Sequence, residues 1–243
     1  MIKFFRNIRR RLLGENRFTR YLLYAVGEIV LVVIGILIAL QINNWNEYQK
    51  ERDREKLYLH SLKSDLKESQ TELNRVISKT DTIAFATIEL LRPSFDTVPM
   101  PLPAVFDSLV NHTYGYTIAM TNEGTINDII GSGDLKVIRN DSLRRMIASW
   151  EAGFKLIREM EGLLKNAFEK NSERLEDKVD LIGQDGEFMD EETRRFIIHD
   201  LEHRNGFLGM IMSSTTLNNL YKEKIKSLDT MIAITERELR ELE

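Results

Sequence analysis

The sequence of 243 residues contains no cysteine, and its four prolines all fall within one short stretch. The missing cysteines exclude disulfides, thiolate metal sites, a cysteine nucleophile and a lipoprotein anchor. Charge is almost missing from one long segment, because Glu28 is the only charged residue between Tyr21 and Ile42. The rest of the chain is polar and rich in charge, with the hydrophobic fraction of a globular protein, which excludes wholesale disorder.

The apolar segment at residues 21–42 predicts a transmembrane helix. At about 1.5 Å per residue it spans about 33 Å, which is enough to cross a hydrocarbon core. Fourteen of its residues are Leu, Ile or Val, each favouring insertion by about 0.3–0.6 kcal/mol, whereas a central carboxylate costs about 3 kcal/mol. The segment continues into polar residues from Asn43 and not into a small-residue cleavage site, which indicates an uncleaved signal anchor.

Charge is distributed unevenly along the chain. Residues 1–20 hold seven Lys or Arg and one Glu, a net charge of +6, and since the whole chain carries −4 the remainder carries −10. The positive-inside rule therefore predicts that residues 1–20 form a basic cytoplasmic tail and that residues 43–243 lie outside, in the periplasm of a bacterial inner membrane. The tail is interpreted as a topology determinant that also contacts anionic lipid. The acidic remainder argues against nucleic-acid binding.

Glu28 is the principal candidate functional residue, because ionisable groups inside membrane segments usually mark functional sites. Helical 4–3 spacing places Glu28, Val32, Gly35 and Ala39 on one face, and the last two form a small-xxx-small pair. These four residues are called the Glu28 face. It predicts docking against another membrane helix, from a second copy or from a different membrane protein. The alternative is a glutamate near a membrane interface that is protonated or extends towards water.

Two stretches carry a family resemblance. The run GEIVLVVIGILIALQINNWNE at residues 27–47, preceded by a basic N-terminus, resembles the anchor of an uncharacterised family of Bacteroidota membrane proteins. The run GSGDLKVIRNDSL at residues 131–143 is similar to that family's other recognisable motif. The resemblance implies a single-pass inner-membrane protein with a helical periplasmic domain, and it carries over no catalytic residues.

The fold class predicted for residues 43–243 is all-α, because no run shows the period-2 alternation of a strand. A long helix is expected at residues 46–91, with an apolar stripe from Leu59 to Leu90 that is broken at three polar positions, Ser69, Thr80 and Thr87. A Pro-rich connector follows at residues 92–103.

A helical head is predicted at residues 104–204 and a C-terminal helix at residues 207–243. The head is expected to contain short helices near 104–112 and 122–130, a helix capped by Asn140 or Asp141 whose apolar stripe is interrupted at Glu161, a helix near Glu191–His203, and a break at Asn205-Gly206. The long first and last helices are expected to pack antiparallel, as in a helix bundle.

Sequence motifs for chemistry are weak. His199 and His203 lie four residues apart, so one helix face could present both to zinc with a third ligand, but no HExxH pattern is present. The alternative is two half-exposed histidines in a charged run. The acidic stretch at residues 185–192 lacks calcium-ligand spacing and is interpreted as a turn and helix start. Gly131-Ser132-Gly133 lacks the features of a phosphate loop or nucleophile elbow and is interpreted as a helix stop.

These observations predict no catalytic residue and no cofactor. The function expected from them is a non-enzymatic interaction or scaffold module held in the bilayer, which associates with a membrane partner or with itself through the Glu28 face. The alternative is a ligand-sensing periplasmic helical domain that acts through a partner protein, because the short tail holds no output domain.

Overall fold

The computed structural model describes residues 18–94, 98–176 and 189–242, with side chains from residue 22 onward. Helices make up nearly all of these ranges, and no strand occurs in them. The chain divides into two compact units between Arg54 and Glu55. The helices are α1 (Phe18–Leu91), α2 (Pro103–Thr113), α3 (Gly124–Gly131), α4 (Asp141–Ala148), α5 (Trp150–Glu176), α6 (Glu191–His199) and α7 (Leu201–Glu241), with short 3-10 turns at Arg92–Ser94 and Asp134–Val137.

The apolar stripe of α1 forms one wall of the core of the second unit. Its large side chains are fully buried, from Leu59 to Leu90, as the 3–4 spacing predicts. The three polar positions in the stripe are also buried, and each has a hydrogen-bond partner. The Ser69 hydroxyl donates to the Asn122 carbonyl at 3.3 Å. The Thr80 hydroxyl donates to the Val76 carbonyl at 3.0 Å and the Thr87 hydroxyl to the Ile83 carbonyl at 2.6 Å. The polar residues are therefore part of the packed face.

The long helices α1 and α7 pack antiparallel, as predicted from the sequence. Lys63 and Lys67 at one end contact Glu236, with Nζ to Oε1 distances of 3.0 and 3.2 Å. Further along α1, the Asn218 amide donates to the Ile77 carbonyl and to the Thr80 hydroxyl, each at 3.0 Å. Residue numbers therefore increase along α1 in the direction in which they decrease along α7.

Helix α5 also packs antiparallel to α7 and completes the bundle. The Tyr221 hydroxyl donates to Glu161 Oε1 at 2.6 Å, and the Asn171 amide lies 3.4 Å from the Met210 sulfur. The core that these helices share with the shorter elements contains buried apolar side chains from every helix after the first unit. Each large aliphatic side chain in it contributes about 1.5–3 kcal/mol through burial.

An irregular segment at residues 114–123 connects α2 to α3 and is held by side chains of the bundle. Its backbone N–H groups donate in sequence to three acceptors: Ala119 to Glu161 at 2.8 Å, Met120 to Glu72 at 3.0 Å and Asn122 to the Ser69 hydroxyl at 2.9 Å. The Arg75 guanidinium hydrogen-bonds Glu72 and lowers the pKa of that carboxyl, which keeps it an acceptor.

Two helix ends agree with the sequence prediction. The Asn140 side chain accepts from the backbone N–H groups of Ser142 and Leu143, at 3.0 and 2.9 Å, and so caps α4. Helix α3 ends at Gly131, and Gly133 takes a left-handed conformation with φ of 75°, which favours glycine. The expected helix stop at Gly131-Ser132-Gly133 is confirmed.

Two predicted helix boundaries are wrong. The single helix expected to begin at Asn140 or Asp141 and to carry its apolar stripe through Glu161 is divided at Ser149, whose φ of −99° and ψ of 6° depart from helical values. The helix expected at Glu191–His203 ends at His199, because Asp200 takes an extended conformation. There the Asp200 carboxylate accepts from the His203 N–H at 2.9 Å and starts α7 at Leu201.

The break predicted at Asn205-Gly206 is also wrong, since both residues lie inside α7. Gly206 has a packing role there. A Cβ atom on it would overlap the buried side chain of Asn171, whose amide carbon would lie only 2.6 Å away. Glycine at this position lets α5 and α7 approach closely, at a cost in helix propensity of about 1 kcal/mol.

Candidate functional site

The Glu28 face lies in α1, in the first unit. From Leu22 to Glu51 every described side chain except that of the partly covered Ala25 is exposed, including the large apolar residues. Within the described ranges one helix is long and apolar enough to cross a membrane, and it is this one. Its apolar side chains are exposed, which is compatible with a membrane anchor.

The four residues of the Glu28 face share one side of a continuous helix. At about 100° per residue, Val32, Gly35 and Ala39 all fall within about 40° of Glu28 around the helix axis. A Cβ atom on Gly35 would meet nothing within 4 Å. Within the described ranges Glu28 makes no hydrogen bond or ion pair, so the face combines one carboxylate with room for a closely approaching backbone.

The structure separates the two histidines considered as zinc ligands. His199 is exposed at the end of α6, whereas His203 is completely buried in α7, between the rings of Phe196 and Phe207 at 5.2 and 5.9 Å. The prediction that both histidines share one helix face is wrong, because Asp200 divides the helix. The alternative prediction of two half-exposed histidines is wrong for His203. Among the described residues no group of three or more His, Asp or Glu side chains could hold a metal ion.

The described part of the acidic stretch at residues 185–192 and the helix stop at Gly131-Ser132-Gly133 both form helix ends. Residues 185–188 of the acidic stretch lie outside the described residues. Asp190 accepts from the Thr193 N–H at 2.7 Å, which caps α6 and lowers the pKa of the Asp190 carboxyl. The Ser132 hydroxyl donates to the Asp128 carbonyl at 2.8 Å and so serves the end of α3.

Glu161, which interrupts the apolar stripe of α5 in the sequence, is a buried carboxylate that joins three parts of the bundle. Glu161 is 5% exposed and accepts from the Ala119 N–H at 2.8 Å and from the Tyr221 hydroxyl at 2.6 Å. Burial, together with the bond to Glu161, raises the pKa of Tyr221 above its usual range, so the hydroxyl remains a donor. Its signal in the sequence is a charged residue at a core position of one helix and a tyrosine at a core position of another.

Comparison with known proteins gives a family but no function. A family of unknown function (DUF6090) matches residues 28–173, which begin at Glu28 and extend through most of α5. No curated protein and no solved structure matches the chain. Because the match covers more than half of the sequence, the chain belongs to this family of unknown function.

Proposed function

We propose that the chain is a membrane-anchored interaction module of a Bacteroidota inner membrane. In this proposal residues 1–20 are cytoplasmic, the apolar part of α1 spans the bilayer, and residues 43–243 are periplasmic. The Glu28 face docks against another membrane helix, from a partner protein or a second copy. The observation that supports this most directly is an exposed apolar helix segment that carries one carboxylate without a partner in the described residues.

The energetics of insertion leave Glu28 available for docking. The fourteen Leu, Ile and Val residues of the segment together favour insertion by about 4–8 kcal/mol, which exceeds the cost of about 3 kcal/mol for the carboxylate. The helix therefore inserts without a partner, and the polar group remains in a poor environment. Hydrogen bonding to a polar group on a second helix recovers about 1–2 kcal/mol.

Photo-crosslinking in the native membrane tests the docking. A photoreactive amino acid at Val32 lies on the Glu28 face, and one at Val30 lies about 200° around the helix from Glu28 and serves as the matched control. We expect a defined crosslinked species from position 32 and none from position 30. Mass spectrometry of the species then distinguishes a second copy from a different protein.

Substitutions test the chemistry of the face. Glu28→Leu and Gly35→Leu are expected to abolish the crosslink and the detergent-stable complex, and Gly27→Leu, about 100° away from Glu28, is expected to leave both unchanged. Glu28→Gln keeps a hydrogen-bonding side chain and is expected to retain part of the complex. Equal complex formation by Glu28→Leu and the natural sequence would refute the proposal.

The proposed topology has its own test. Because the natural sequence contains no cysteine, single cysteines at Asn7 and at the exposed Ser61 report on each side of the membrane without background. A membrane-impermeant thiol reagent applied to intact spheroplasts is expected to label Ser61→Cys and not Asn7→Cys. The opposite labelling would place the bundle in the cytoplasm.

A further inference from the structure

A cavity of about 300 Å³ opens in the second unit between the end of α4, the first turns of α5 and the middle of α7. This is near the lower limit of volumes that hold small ligands. Its walls are partly apolar, and the apolar part includes Met146, Leu156, Leu220 and Met231. Leu156 is 53% exposed, so the cavity is open to solvent. The polar groups in it decide what class of ligand it suits.

Lys224 brings a positive charge into the cavity. Its ammonium lies 4.6 Å from the ring centre of Trp150 and 4.2 Å from that of Phe154. Gly153 makes room for it, because a Cβ atom there would come within 2.6 Å of the Lys224 nitrogen. Within the described residues no carboxylate lies at ion-pair distance from this ammonium, and its direct neighbours are the faces of the two rings.

The Trp150 ring forms part of the cavity wall beside Lys224. The side chain is 2% exposed and lines the cavity, and its indole N–H has no acceptor among the described residues. The indole nitrogen is itself covered by protein atoms, so the ring contributes an apolar wall and not a hydrogen bond to a ligand. Glu223 also lines the cavity and is exposed, so it disfavours ligands that carry more than one negative charge.

We propose that this cavity binds a small amphiphilic monocarboxylate. The carboxylate accepts from the Lys224 ammonium, and the apolar part of the ligand packs against Met146, Leu156 and Leu220. The inference does not depend on the Glu28 face, and its measurement is separate from complex formation in the membrane.

Burial makes the binding sensitive to pH. Desolvation lowers the pKa of Lys224 to about 8, and the charge of Glu123 offsets part of that shift. Arg158 on α5 contacts Glu123 at 3.3 Å and Glu151 at 2.5 Å, so these three charged side chains pair with one another. The ammonium is charged at pH 6.5, and carboxylate affinity falls as the pH rises through about 8.

Tryptophan fluorescence of the full-length protein tests the proposal. The chain has two tryptophans, so Trp45→Phe leaves Trp150 as the sole emitter in a nanodisc of zwitterionic lipid. Titration with hexanoate at pH 6.5 is expected to give a saturable change, whereas hexanamide, with the same apolar part and no charge, is expected to bind about tenfold or more weakly. Equal responses to both compounds, or no saturable response to hexanoate, would overturn the proposal.

Variants test the assigned residues. Lys224→Met is expected to weaken hexanoate binding by about tenfold or more, and Lys222→Met, on the exposed neighbour, is expected to leave it unchanged. Gly153→Ala displaces the ammonium and is expected to weaken binding, while Gly162→Ala, in open space on the same helix, is not. Circular dichroism shows whether each variant is folded. Unchanged affinity in folded Lys224→Met protein would remove Lys224 from the site.

Discussion

Gly206 gives a sharp test of the packing between α5 and α7. An alanine in the middle of a helix is normally about 1 kcal/mol more stable than a glycine. At position 206, however, the new methyl group would overlap the amide of Asn171, which is 3% exposed and has little room to move. Overpacking of this kind costs about 1–3 kcal/mol. Gly209 in the same helix is the matched control, since a Cβ atom there meets nothing within 4 Å.

We therefore expect Gly206→Ala to be less stable than Gly209→Ala by about 1–3 kcal/mol. For a domain of this size, 1 kcal/mol corresponds to about 2–4 °C in melting temperature, so melts of the full-length protein in mild detergent resolve the difference. Asn171→Ala removes the side chain that the methyl group meets. Combined with Gly206→Ala it should show a coupling energy of about 1–3 kcal/mol. Equal stability of the two glycine variants would refute the close approach at Gly206.

Three further changes test the bundle. Glu161→Leu is expected to lower the free energy of unfolding by about 2–4 kcal/mol, because the Tyr221 hydroxyl and a backbone N–H lose their acceptor. Glu161→Gln keeps an acceptor oxygen and is expected to lower it less. A lower melting temperature for Glu161→Gln than for Glu161→Leu would contradict this. Asn218→Ala is expected to cost about 1–2 kcal/mol and the exposed Asn219→Ala almost nothing by the same measurement. The pKa of Lys224 is about 8 in the folded protein and 10.5 ordinarily, so between these pH values the unfolded chain binds more protons at Lys224 than the folded chain does. The free energy of unfolding therefore rises with pH across that window. Urea melts at pH 7.5 and 9.5 are expected to show a smaller rise for Lys224→Met than for the natural sequence.

The long helices and their pairing were accessible from the sequence because their apolar spacing is regular over many turns. The stripe from Leu59 to Leu90 predicts both the helix and its buried face, and an antiparallel partner is the simplest way to cover it. The caps at Asn140 and at Gly131-Ser132-Gly133 were also accessible, since those residue types act within one turn of the chain.

Other features escaped prediction because a contact distant in sequence overrides a local preference. Asn205-Gly206 is typical of a break, but Gly206 is required inside α7 by a side chain of α5. Glu161 is by itself a poor residue for a core. It is stable there because its carboxylate accepts hydrogen bonds from a backbone N–H of the 114–123 segment and from a hydroxyl of α7. The cavity beside Lys224 depends on three helices together, so no single stretch of sequence indicates it.

The antiparallel pairing of α1 with α7 also sets the order of events during synthesis. The buried stripe of α1 leaves the ribosome early, whereas the α7 residues that cover it are made only after α2 to α6. At about 5–20 residues per second, this delay is on the order of ten seconds. During that time the part of the apolar face of α1 that α7 covers has no native cover, so a nascent chain of this protein is expected to need chaperones for longer than a bundle of sequentially paired helices would.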